Sequence, residues 1–107
     1  MSTGLNPIEG KEEEFNDWYT NEHLANVLKL PGVKAAQRYK LGEVQHRKGP
    51  LDWKYMAVYE IEIEDISETL NALAAASGTA AMPLSSALSP DRMVWIYRPI
   101  TERIERP

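Results

Sequence analysis

From Phe15 to Leu30 the apolar residues recur at helical spacing. If a helix starts near Lys11, a step of about 100° per residue puts Phe15, Trp18, Tyr19, His23, Val27 and Leu30 on one half of its surface. Glu22 and Asn26 fall in the middle of that half, and an ordinary core stripe would hold no carboxylate, imidazole or amide among its aromatics. Glu9, Glu12, Glu13 and Glu14 crowd the first turn, Lys29 lies near the end, and Pro31-Gly32 stops the helix. The period then changes. Val33–Leu41 alternates, with Val33, Ala35, Gln37, Tyr39 and Leu41 on one face and Lys34, Ala36, Arg38 and Lys40 on the other. Gly42–Asp52 is a polar loop, and Trp53–Ile63 is the cleanest strand, with Trp53, Tyr55, Ala57, Tyr59, Ile61 and Ile63 in period two.

Asp65-Ile66-Ser67-Glu68 reads as a capping box that opens a second helix, with Gly78 as its stop. Thr79–Arg92, carrying Pro83 and Pro90, is a long connection of the kind that is often functional or lid-like. Met93–Ile100 alternates as a last strand, and the charged tail Thr101–Pro107 is expected to be extended or mobile. With a short strand at Ser2–Asn6 the order becomes βαββαβ. This predicts an α+β, ferredoxin-like domain spanning residues 1–107, with a four-stranded antiparallel sheet. Tyr39, Trp53, Tyr55, Tyr59, Trp95 and Tyr97 fall into alternating sets read as one face, while Ala36, Met56, Val58, Val94 and Ile96 keep the other face apolar. Two helices cover only one face of such a sheet, so a homodimer is expected.

Composition narrows the function classes. Hydrophobic residues make up 43% and charged residues 26%, an ordinary globular balance. A net charge of −4 with no Lys/Arg cluster argues against a nucleic-acid partner. The absence of Cys removes disulfides, thiol nucleophiles and thiolate metal sites. No apolar run approaches a membrane span and no signal pattern opens the chain, so no membrane partner and a cytoplasmic location are expected.

Asn6-Pro7, Gly10, Phe15-Asn16-Asp17-Trp18-Tyr19, Glu22-His23-Leu24, Leu30-Pro31-Gly32-Val33, Ala36-Gln37-Arg38-Tyr39 and Tyr59-Glu60-Ile61 together carry a resemblance. In these residues the chain resembles the dimeric α/β-barrel superfamily, and within it EthD-like and related small proteins. Similar proteins often have Pro two residues after this His, where this chain has Ala25, and a break there would reset the helical phase beyond it. They also carry a longer strand before Asn-Pro, so the first strand here is expected to be short or truncated. The resemblance implies a small cavity between helices and sheet. Members are similar to polyketide cyclases, muconolactone isomerases, cofactor-free quinol monooxygenases and haem-degrading enzymes, and others bind ligands as regulators. The fold therefore leaves the chemistry open.

His23 is the leading catalytic candidate, because an imidazole in an apolar pocket can serve as acid or base near neutral pH. The competing readings are a buried His bonded to backbone or an exposed one at a helix end. Tyr19, one turn earlier, is placed to hydrogen-bond a substrate oxygen or simply to fill the core. Trp18, Tyr39, Tyr55, Tyr59 and Trp95, with Trp53, could box a planar ligand, against the plainer reading of sheet-face core. Arg38 could fix a carboxylate or enolate, or form an inter-subunit ion pair. His46 sits in a polar loop and reads as solvated. Ser85 and Ser86 lack a nucleophile-elbow context, and two His without ligand spacing make no zinc site. The expected function is a cofactor-independent enzyme performing acid/base proton transfer (isomerase, cyclase or lyase) on a small aromatic or cyclic carbonyl or phenolic compound. A cofactor-free quinol-type monooxygenase and a non-catalytic ligand-binding dimer are the alternatives.

Overall fold

The computed structural model describes all residues, Met1–Pro107. Along the chain come β1 (Ser2–Pro7), α1 (Glu12–Trp18), a π-helical turn (Tyr19–His23), α2 (Leu24–Leu28), β2 (Val33–Lys40), β3 (Tyr55–Ile61), α3 (Ile66–Ala76) and β4 (Leu88–Trp95). The fold is α+β. Its four strands form an antiparallel sheet in the order β2-β3-β1-β4, so the shortest strand, β1, is central and β2 and β4 are edges. No helix is long and apolar enough to cross a membrane.

Cross-strand partners share a face, so the register sorts the sheet into two sides. Arg92, Leu5, Tyr55 and Lys40 form one row facing the helices, and Val94, Thr3, Ala57 and Arg38 form the next. The opposite face carries the row Met93, Gly4, Met56 and Tyr39 and the row Trp95, Ser2, Val58 and Gln37. Helices α1 to α3 pack on the first side, over a core of Leu5, Phe15, Trp18, Tyr19, Val27, Tyr55, Ala57 and Tyr59. Tyr39 and Trp95, by contrast, are 47% and 58% exposed.

This corrects the expectation that the strand aromatics share one face. Tyr55 and Tyr59 lie under the helices, whereas Tyr39 and Trp95 lie on the far side. In β2 the cause is a bulge: Val33 pairs with Ile61 but Ala35 with Glu60, so one extra residue flips the alternation beyond it. Val33 and Ala36 therefore face the core, and Tyr39 turns away from Val33's side. Trp53 precedes the β3 ladder and lies across Gly4, where an added Cβ would meet its ring at 2.6 Å. Glycine at position 4 is what lets that indole lie flat on the open face.

The last strand also differs from expectation. It runs Leu88–Trp95 rather than Met93–Ile100, because Pro90 sits on an edge, where the missing N–H has no ladder partner to lose. The connection before it is correspondingly shorter and is no free lid. Met82 and Ala87 are buried in the core, the Ile8 N–H donates to the Ala87 carbonyl at 2.7 Å, and the Trp18 indole N–H donates to the Pro83 carbonyl at 3.2 Å. Asp65 is the N-cap of α3 as the sequence predicts, its carboxylate accepting from the Ser67 N–H at 3.0 Å, but Glu68 makes no return bond to complete a capping box. Buried Thr69 donates to the Pro31 carbonyl at 2.6 Å, fastening α3 to the turn that ends α2. That turn needs Gly32, whose φ is +78°.

Candidate functional site

The site begins with the π-helical turn. The Leu24 N–H reaches back to the Tyr19 carbonyl, five residues earlier instead of four, so one extra residue enters the helix between Trp18 and Leu24. In an uninterrupted α-helix a residue and its fifth successor point apart. Here the wider turn stacks them: the His23 ring lies 4.6 Å from the Trp18 ring and 4.7 Å, edge-on, from the Tyr19 ring. The turn also carries Glu22 outward, where it lines an exposed groove with Glu13, Glu14 and Asp17. Glu22 is thereby removed from the helix half on which the unbroken periodicity placed it.

His23 is 9% exposed, and its Nδ1 is sealed from solvent without any hydrogen-bond partner. Leaving a buried polar atom unpaired costs about 1–3 kcal/mol. The structure thus rejects the reading of His23 as a core histidine bonded to backbone through that nitrogen. Burial first, then the positive charges of Arg92 and Arg38, push its pKa down from 6.5 to about 4. In the free protein the ring is therefore a neutral base at pH 7, rather than the evenly poised acid and base that its ordinary pKa suggests.

The ring opens on a cavity of about 350 Å³ between the helices and the sheet. That is more than twice the ~150 Å³ known to admit benzene, and within the range of small-molecule pockets. Leu5, Val27, Leu70, Leu73 and Val94 supply apolar walls; Thr3, Tyr19, His23, Tyr59, Ser77 and Arg92 supply the polar groups. The hydroxyls of Tyr19 and Tyr59 sit 2.6 Å apart, and either one can donate to the other. Burial raises both phenol pKa values above their usual range, so both stay protonated at neutral pH.

Of the residues singled out in the sequence, His23, Tyr19 and Tyr59 meet at this cavity. Trp18 backs the imidazole from outside it. Tyr55 is occupied elsewhere, donating to Glu12 Oε2 at 2.6 Å and accepting from Asn16 Nδ2 at 3.1 Å. Tyr39 and Trp95 lie across the sheet, so no aromatic box assembles around a single ligand. Arg38 faces the helices but spends its guanidinium within the chain. It donates to Thr20 Oγ1 and to Asn16 Oδ1, each at 2.8 Å, and lies 4.6 Å from the Tyr19 ring centre. Its role is to tie β2 to the π-helical turn and hold Tyr19 in place.

Arg92 is the cavity residue that sequence reasoning missed. It lies at the end of Thr79–Arg92, the segment with Pro83 and Pro90 that reads as a long connection. Extending the alternation of Val94 back through the proline would have put Arg92 on the same face. No three His, Cys, Asp or Glu side chains converge in a way that could hold a metal ion.

No protein-family model matches the chain, and no solved structure matches it. A stretch of 60 residues is 33% identical to Core atranone cluster (CAC) protein 1 of Stachybotrys chlorohalonatus (strain IBT 40285). The match covers 56% of this chain and 23% of that protein, so the matched stretch accounts for under a quarter of the relative's length.

Proposed function

We propose that the chain is a ferredoxin-like, dimeric α/β-barrel protein whose cavity performs cofactor-independent acid/base chemistry on a small aromatic or cyclic carbonyl or phenolic compound. The observation that carries this reading is His23: a buried imidazole with an unpartnered Nδ1, at the wall of a cavity large enough for a ring. The neutral imidazole accepts a proton from a carbon or hydroxyl activated by a neighbouring carbonyl, and the imidazolium returns it at a second position. The Tyr19–Tyr59 pair, kept neutral by burial, donates to the oxygen on which negative charge develops. The apolar walls keep water from competing for the proton.

The test is a thermal-shift screen of phenols, cyclic enones and lactones, followed by turnover of each stabilising compound. His23→Ala is expected to keep the wild-type circular dichroism spectrum and to lower kcat/KM by about 10²–10⁴-fold. Turnover within threefold of wild type would remove His23 from the reaction. Oxygen uptake coupled to quinone formation would replace proton transfer by oxygenation, and saturable binding without turnover would leave a ligand-binding protein.

The open sheet face supports the dimer. Tyr39, Met56, Met93 and Trp95 lie there uncovered by the chain's own helices, and a second copy would bury them. Sedimentation is expected to give twice the monomer mass. Met56→Glu, which places a charge in the middle of that face, is expected to give the monomer. A wild-type monomer at 100-micromolar-scale concentration would refute the pairing.

A further inference from the structure

The geometry points to a carboxylate-bearing ring as the class of molecule that fits this cavity, with Arg92 holding the carboxylate at the mouth and the ring lying on the apolar walls below. This rests on the reading that the cavity is a ligand site. Arg92 faces the cavity because Leu5, its cross-strand partner on β1, faces it too. No Asp or Glu lines the cavity. Nor does Arg92 find a partner elsewhere: the ion pairs of the chain are Lys11–Glu14, Lys40–Glu12, Lys54–Glu12 and Arg103–Glu105. Its sequence neighbour Asp91 alternates to the other side of the strand.

The chain has 16 acidic residues against 12 basic ones, so acids to pair with a surface arginine are plentiful. Only Lys11, Lys40, Lys54 and Arg103 form ion pairs, so what sets Arg92 apart is its place beside an apolar, acid-free cavity. The second guanidinium on this side, Arg38, already donates to Asn16 and Thr20, which leaves Arg92 as the free fork. Guanidinium geometry matches a carboxylate with two parallel N–H···O bonds. The field of Arg92 also disfavours the protonated form of His23, and an anion seated on Arg92 would relieve that effect. Leu70, Leu73 and Val27 are among the apolar side chains available to the ring.

The probes are benzoate and its neutral isostere benzamide, titrated to tens of millimolar at constant ionic strength. Chemical shifts of the His23 ring and the Arg92 guanidinium are followed, with sodium chloride as the ion control. Benzoate is expected to bind at least about tenfold more tightly than benzamide. In Arg92→Gln that preference is expected to vanish through weaker benzoate binding, with benzamide unchanged. Because Arg92 is exposed, the variant is expected to fold like wild type. Equal affinity of the two rings in wild type, or an unchanged preference in Arg92→Gln, would overturn the carboxylate assignment and leave the cavity standing as a ligand site. If neither ring shifts His23 while Leu73→Phe leaves the His23 environment unaltered, the cavity reading falls, and the carboxylate with it.

Discussion

Phe15→Ala is expected to destabilise the protein by about 3–5 kcal/mol, the usual cost of emptying a phenylalanine-sized space in a core. Phe15 is 0% exposed and packs among the aromatic rings of the helix and sheet that hold Tyr19 in place. Its ring centre lies 5.3 Å from Tyr55, 6.0 Å from Tyr19 and 6.2 Å from Trp18, with the Arg38 guanidinium 5.5 Å above it. The space left behind cannot easily collapse, because Arg38 and Tyr55 are held by hydrogen bonds to Asn16, Thr20 and Glu12. A domain of this size commonly has about 5–15 kcal/mol in total, so the variant is expected to be marginal at 37 °C. Urea denaturation checks this: the midpoint falls by about 2 M with the slope unchanged. Phe15→Leu, which retains most of the volume, is expected to cost less than about 1.5 kcal/mol. A loss under 1 kcal/mol in Phe15→Ala would mean that the helix does not depend on this ring.

Acidification from pH 7 to pH 4 is expected to remove a stability contribution of at most about 3 kcal/mol through His23 alone. The folded ring binds its proton at about pH 4, held down by burial, Arg92 and Arg38, whereas the unfolded chain binds it at about 6.5. Between those values the unfolded state carries more protons, so stability rises with pH across the window. It is fully present above about 6.5 and is lost as pH falls through the folded value. Glu12 and Asp65 have pKa values lowered by hydrogen bonds, to Tyr55 and Lys54 and to Ser67 respectively. Their stabilising contributions fade only as pH drops below the ordinary carboxylate range, and they are common to wild type and variant. The difference in urea midpoint between wild type and His23→Gln, followed from pH 7 to 4, isolates the imidazole. Parallel curves would show that His23 is not protected from protonation in the fold. A wild-type curve steeper than the variant's below about pH 6.5 and parallel to it above is the expected result.

Tyr39 and Arg38 show how far a pattern can be read without pairing. Alternation correctly placed them on opposite sides of one strand. Which side met the helices depended on a single bulge between Val33 and Ala35, and nothing in the local sequence marks it. His23 shows the same limit in a helix. Its placement on the buried half with Phe15, Tyr19 and Val27 follows from period alone, yet its stacking on Trp18 depends on the extra residue in the turn. Arg92 was hidden by Pro90, a residue whose meaning changes according to whether its strand is central or at an edge.

The residues alone determine the succession of elements, the breaks at Pro31-Gly32 and Gly78, the cap at Asp65 and the buried aromatic face around His23. Each of these follows from interactions within a few positions of chain, where spacing is geometry. The tertiary structure decides which sheet face the helices cover, and which polar groups meet at one cavity. It also decides that the cavity's free cation is Arg92, and that His23 is left neutral and unpaired. Those outcomes depend on strand register, on one-residue insertions in a strand and a helix, and on burial among residues distant in sequence. A shift of a single position there reverses the side a residue faces while leaving its local pattern unchanged.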